Sequence, residues 1–526
     1  MHKPFARQVF DAARSASITL ATLVTLVCFG CNKPIPPRTP EDELATSDTI
    51  HSKAIDSEAI AAPTSTQAIT SFCADCHLLP SSQSFGKERW HEEVAQGFRL
   101  YAKSGREDLV KPDFEATLAF FRNDAPDQLT FPKHESVKDK LFVRNEIPWK
   151  ESEKPVQISH TRIMSPTEAP PVLTIADMWT GALFGVNVQS DSIQTSVLTG
   201  VSHPASFAAT DLDGDEIQDY VVADLGTFNP ENSNQASVWF LQGTESGEFK
   251  RRPIRLGLSR VAGIEAFDHD DDGDMDLVIS DFGRYFVGSI YLATNQGNKQ
   301  GVPQFDWEVL DSRPGAIETP IVDMNNDGKL DIVALVSQHY ETVEVHLNLG
   351  DGKFETKLIY QADDPSYGSS GIEVADMDND GDLDVVYTNG DTFDDTLAKP
   401  YHAVRWLENQ GKYPFKQHSI TSLPGVYCAV TGDIDLDGDL DIAAVSLLDP
   451  SEVGKQPAGT FDGVIWLEQT QAGTFQRHDI LTDECSAATC RLIDWDQDGD
   501  LDLFVPPYQF DRNATDRLVV YLNQTK

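Results

Sequence analysis

The sequence predicts a mainly β chain: a seven-bladed β-propeller with cation-loop hairpins, preceded by a small α-helical domain. Three observations carry this expectation. A nine-residue acidic signature recurs six times between residues 211 and 502, and self-similarity at a near-fixed period marks a repeat architecture in which each unit buries its face against the next. Each copy runs into a β-branched or apolar stretch, the mark of a strand. Between residues 68 and 127, by contrast, apolar positions step by three and four, the helical period.

The first 31 residues read as an export signal: basic MHKPFARQVFDAARSAS, apolar ITLATLVTLVCF, then Gly30 and Cys31. The apolar run is shorter than the roughly 18–20 residues a spanning helix needs. VCFGC resembles a bacterial lipoprotein box, although Cys28 and Phe29 depart from its usual leucine and small residue. That resemblance implies an exported protein, periplasmic or at the cell surface, anchored by lipid at Cys31 and touching a membrane only there. Residues 32–67 are rich in Pro, Ser, Thr and acids, show no sustained apolar period, and read as a flexible linker.

Residues 68–127 form the helical unit. His91, Val94, Phe98 and Tyr101 share one helical face, and Phe114, Leu118 and Phe121 share another. Beside them stands CADCH at 73–77. Two cysteines three apart with a histidine after the second fit covalent c-type haem attachment: Cys73 and Cys76 supply thioethers and His77 the proximal iron ligand. A thioredoxin-like dithiol lacks its βαβ context here, and no second ligand pair follows to complete a zinc site. The stretch resembles the small cytochrome c domains found in front of such propellers, with LLP, Trp90 and FFRNDAP in fitting places. Cytochromes of this kind often use methionine as sixth ligand, but none lies between Met1 and Met164. His91 is the nearest substitute, with His134 and Lys87 as further candidates.

From 138 to 526 the pattern is β. The signatures start at Asp211, Asp268, Asp323, Asp376, Asp433 and Asp494, with successive spacings of 57, 55, 53, 57 and 61 residues. Positions 1, 3, 5 and 9 carry oxygen side chains: Asp211, Asp213, Asp215 and Asp219; Asp268, Asp270, Asp272 and Asp276; Asp323, Asn325, Asp327 and Asp331; Asp376, Asp378, Asp380 and Asp384; Asp433, Asp435, Asp437 and Asp441; Asp494, Asp496, Asp498 and Asp502. With glycine at position 6 in five of the six, such a loop curls around a hard cation, and calcium fits best. An EF-hand would place Glu at position 12 and continue as helix. Here position 12 is Val222, Ile279, Ala334, Tyr387, Ala444 and Val505, so each loop joins two strands of a hairpin.

A third strand and, in five units, a fourth follow, which makes a propeller blade. VLTIADMWTGALFGVNV reads as a seventh unit that starts like the others and keeps Asp177 but has lost its cation loop. The last unit ends after its third strand, and an open edge invites mispairing. KLFVRNEIPW, residues 140–149, carries the fourth-strand pattern and is predicted to close the final blade.

Residues 170–526 resemble an FG-GAP or VCBS-repeat propeller, the integrin α-type fold. The resemblance implies calcium at the residues named above, up to six ions. Glu216, standing where the other loops have glycine, makes the first loop the least regular. Bound cations would offset part of the formal net charge of −43. That charge excludes nucleic acid as the main partner, since no basic footprint exists.

The haem motif points to an exported electron-transfer protein whose propeller docks a redox partner or a small-molecule or carbohydrate ligand. The alternatives are a haem-linked propeller dehydrogenase, a carbohydrate-active propeller, and a calcium-dependent adhesion protein. Arg284, Tyr285, His339, Tyr340, His402, Tyr508 and Arg512 fall on loops between second and third strands, opposite the calcium hairpins, where they could line a pocket or a docking surface. Cys485 could pair with Cys490, or Cys428 with Cys490 across adjacent blades.

Overall fold

The structure is a computed structural model that describes residues 65–148, 156–164, 172–189, 192–228, 232–393, 395–509 and 517–526. The export signal, Cys31, most of the linker, Trp149 and Arg512 lie outside the described residues. No helix among the described residues is long and apolar enough to cross a membrane.

Seven antiparallel sheets follow one another along the chain. Blade 1 is built from Ile158–Ile163, Val172–Asp177, Ala182–Gln189 and Ser192–Gly200, and blade 2 from Pro204–Thr210, Asp219–Asp224, Ala236–Gln242 and Lys250–Leu258. Blades 3 to 6 begin at Val261, Ala316, Ser369 and Val426, and blade 7 at Arg491. Adjacent sheets bury an apolar seam. Ile158, Ile175 and Phe184 of blade 1 pack against Trp495, Phe504 and Val520 of blade 7, which closes the ring.

Phe142–Pro148 pairs antiparallel with Arg517–Asn523, in register from Phe142 opposite Asn523 to Pro148 opposite Arg517. The final blade is thus completed by a strand that precedes the first, as the sequence predicts. Just upstream, Val137–Lys138 adds in parallel to the outer strand Thr474–Thr482 of blade 6.

The first blade corrects one expectation. Its innermost strand is Ile158–Ile163, and VLTIADMWTGALFGVNV forms the second and third strands. The absence of a cation loop at Asp177 agrees with the expectation; what changes is the strand Asp177 belongs to. It ends the second strand, as Asp224 does in blade 2, and accepts hydrogen bonds from the Gln157 and Trp179 amides at 3.1 and 3.0 Å. The apolar alternation of the second strand resembles that of the first, which is why the offset is hard to read from sequence.

The helical unit contains α1 (Ser65–Cys73), α2 (Trp90–Lys103) and α3 (Phe114–Asp124). Asp113 caps α3, accepting from the Ala116 amide at 2.9 Å. The core forms around Trp90, which stacks on Phe121 at 4.3 Å and meets Phe85 edge-on at 5.3 Å, with Val94 and Leu118 beside them. The unit sits on the propeller face opposite the acidic hairpins. Ser81 N and Ser84 Oγ both donate to Asp364 Oδ2, at 2.7 and 2.6 Å, and Tyr401 Oη donates to the Ser84 carbonyl at 3.1 Å. Leu397 packs against the helical core, and Gln96 Nε2 on α2 bonds Tyr285 Oη at 3.1 Å.

Candidate functional site

Each acidic signature folds as a tight turn between the first and second strands of its blade. The position-9 aspartate is its fixed point. Its Oδ2 accepts the amide of position 2 at 2.7–3.1 Å. Its Oδ1 accepts an amide at the end of the third strand at 2.6–2.8 Å. Asp219, Asp276, Asp331, Asp384, Asp441 and Asp502 are all buried. Burial pushes their carboxyls up, Asp219 and Asp384 to about 6, Asp441 and Asp502 to about 7.

In the first four loops position 1 accepts the amides of positions 5 and 6 at 2.7–3.2 Å. The chain can turn this sharply because position 6 lies at positive φ: Gly273, Gly328, Gly381, Gly438 and Gly499 span 86–100°. Glu216 is held there too, at φ 65°, so the first loop keeps the shape and carries the strain. In five loops three carboxylates bring oxygens within 4.8 Å of one another; in the blade 4 loop Asn325 takes the place of one. Oδ1 of Asp213, Asp378, Asp433 and Asp494 is buried without a hydrogen-bond partner. Converging, unpaired carboxylate oxygens are the donor set a calcium ion satisfies, so these clusters can hold calcium.

Sequence reasoning missed the amides that join the loops. Asn295, Asn348, Gln469 and Asn523, at the ends of third strands, each donate to the position-8 carbonyl of their own loop and to the position-2 carbonyl of the preceding blade's loop. For Asn348 these bonds, to Leu330 and His269, are 3.3 and 3.0 Å. The only sequence signal for them is an Asn or Gln recurring near the ends of the third strands, which reads like any polar turn residue. In blade 2 the place is taken by Gly243, where a Cβ would meet the Gln218 carbonyl at 2.3 Å.

Cys73 is the last residue of α1, and the Ala74 amide still bonds the Thr70 carbonyl at 2.9 Å, so the helix carries the motif into its final turn. Arg106 fixes that turn, bridging Asp75 and Asp108 at 2.6 Å each and reaching Cys76 Sγ at 3.5 Å. His77 Nδ1 donates to the Leu78 carbonyl at 2.6 Å, which leaves Nε2 for a ligand. Burial pushes the Cys73 thiol up to about 11 and lowers the His77 pKa. Two thiols and an oriented imidazole within one turn, against the aromatic side chains Phe72, Phe98 and Tyr101, fit a covalently held haem.

The sixth-ligand candidates scatter. His91 is exposed, its ring edge-on to Phe114 at 5.5 Å; the buried side of α2 starts at Trp90 instead. His134 bonds Ser422 Oγ at 2.8 Å, and Lys87 pairs with Asp127 at 2.8 Å.

Of the loop residues expected on the free face, Tyr285 and His339 meet the helical unit. Arg284 lies over the Tyr285 ring at 4.6 Å, and Tyr340 packs beneath Arg313 at 5.1 Å. His402 is buried, Nδ1 accepting from the Gly425 amide at 3.0 Å, and Tyr508 is buried beside Met178. The surface read as a docking face is thus partly covered by the chain's own N-terminal unit. Of the two cysteine pairings, the structure brings Cys428 and Cys490 to 3.9 Å between sulfurs, while Cys485 lies buried elsewhere with its thiol pushed up to about 12.

An FG-GAP-like repeat model matches residues 193–279 and 323–387, segments that hold four of the six acidic loops, those starting at Asp211, Asp268, Asp323 and Asp376. No curated protein matches the chain. Among solved structures, Bacillus licheniformis rhamnogalacturonan lyase PL11 is similar over 68% of this chain and 74% of its own, at 13% identity and a TM-score of 0.36. The chain therefore carries FG-GAP-like repeats within a seven-bladed β-propeller.

Proposed function

We propose that this protein is an exported c-type haem electron-transfer protein whose calcium-stabilised propeller is the platform that holds and presents the haem unit. The observation that carries the reading is the CADCH turn: Cys73 and Cys76 beside an imidazole whose Nδ1 is committed to the Leu78 carbonyl. A haem held there supplies a one-electron couple. The residues of the chain do the rest. Arg106 holds the turn through Asp75, Asp364 seats Ser81 and Ser84 on the propeller, and the paired carboxylates of the hairpins take calcium on the opposite face. Export through residues 1–31, with anchoring at Cys31, belongs to the same proposal, since thioethers to haem are made outside the cytoplasm.

The reading is tested by exporting the full chain in cells that mature c-type cytochromes and recording denaturing-gel haem staining with reduced-minus-oxidised spectra. Covalent haem in the native chain and its loss in the Cys73→Ala, Cys76→Ala double variant is the expected result. A native chain that folds, takes up calcium and carries no haem would overturn it.

A further inference from the structure

We propose that the second axial ligand of this haem comes from the propeller, from His339, so that the iron links the two domains. The inference rests on the haem reading above and deepens it. The rings of His77 and His339 lie with centroids 5.8 Å apart and planes 15° from parallel. Two imidazoles sharing one metal atom need a separation of roughly 6 Å, from two metal–nitrogen bonds of about 2 Å each plus half a ring on either side. Each ring is also fixed by a backbone carbonyl. His77 Nδ1 donates to Leu78, and a ring nitrogen of His339 donates to Tyr285, so each keeps its second nitrogen for a metal.

The loop that carries His339 is built to hold it. Gln338 and Glu341, on either side, sit at φ 61° and 48°, and Tyr285, which faces the ring at 5.6 Å, at φ 49°. Non-glycine residues persist in the left-handed region only where their surroundings fix them, and such strain gathers at functional sites. The fixing bonds are present. Tyr285 N donates to Gln338 Oε1 at 2.8 Å, and buried Glu341 accepts from Ser369 N and Oγ at 2.7 and 2.5 Å. The helical unit supplies no methionine, and His91 is exposed against Phe114. Placing the ligand on the propeller explains why the two domains meet at this point, and a second nitrogen ligand lowers the potential relative to a methionine.

The test uses the full-length exported holoprotein and compares the native chain with His339→Ala, His339→Met and His91→Ala. The native protein should be low-spin in both oxidation states and unmoved by carbon monoxide. His339→Ala should keep its covalent haem, turn high-spin and bind carbon monoxide, and return to low-spin when imidazole is added, a rescue that a merely structural role would not give. His339→Met should stay six-coordinate with a raised potential, and His91→Ala should match the native spectrum. A loaded His339→Ala protein with a native spectrum, or a shift produced by His91→Ala instead, overturns the proposal. A native chain without haem overturns the underlying reading, and this inference with it.

Discussion

At the scale of single residues, the position-9 aspartates and the amides beside them do the most structural work. A buried carboxylate that accepts two backbone amides ties the acidic turn to the third strand of its own blade, and in four blades Asn295, Asn348, Gln469 or Asn523 ties it to the blade before. Asn348→Ala should cost about 1–2 kcal/mol, because it strips the buried His269 carbonyl and the half-buried Leu330 carbonyl of one donor each; denaturant unfolding with calcium present measures it. Glu216→Gly should act in the opposite sense. It relieves a left-handed glutamate and is expected to stabilise by roughly 1 kcal/mol, with tighter calcium binding at the first loop, read by calorimetry. The acidic clusters at positions 1, 3, 5 and 9, which could hold calcium, are legible because charge and spacing recur in them. The bridging amides are not, because Asn and Gln at the end of a strand carry the same signal as any polar turn residue.

At the scale of elements, the strand Phe142–Pro148 holds the ring shut. Deleting it leaves Arg517–Asn523 as a bare edge, and the expected outcome is association of the truncated chain on size exclusion, where the native chain runs as a single species. Its role is legible because the last repeat stops one strand short and only one segment outside the repeats carries the missing pattern. The register of blade 1 was less legible: without a cation loop among its described residues, a second strand looks like a first. Cys428, in the first strand of blade 6, and Cys490, just before the first strand of blade 7, lie near each other though 62 residues apart in sequence. Once exported they should form a disulfide, visible as a linked peptide in non-reducing mass spectrometry, and reduction should then cost on the order of 2–4 kcal/mol. Two alkylatable thiols in the exported protein would contradict that pairing, which strand position alone could not select over Cys485.

At the scale of the whole molecule, two faces divide the labour: carboxylate hairpins on one, the helical unit on the other. Calcium removal should lower the melting temperature, since the clustered charges then repel without an ion between them. In that metal-free protein, burial holds the position-9 carboxyls above their unfolded value, to about 6 for Asp219 and Asp384 and about 7 for Asp441 and Asp502. A carboxyl raised in this way favours the fold while protonated, and its contribution is lost as pH rises through the folded value. The chelated protein should therefore melt higher near pH 5 than near pH 8, and saturating calcium should reverse the order because protons then compete with the ion. The proposed haem site is written in five residues of sequence, whereas the helical unit's seat on Asp364, Tyr401 and Tyr285 depends on loops hundreds of residues downstream. The most direct measurement of the account is a spectroelectrochemical titration of the full-length exported protein in calcium. A reversible one-electron transition of a covalently bound, low-spin haem, unchanged by carbon monoxide, is the predicted result; a calcium-loaded, folded protein with no redox-active absorbance would contradict it.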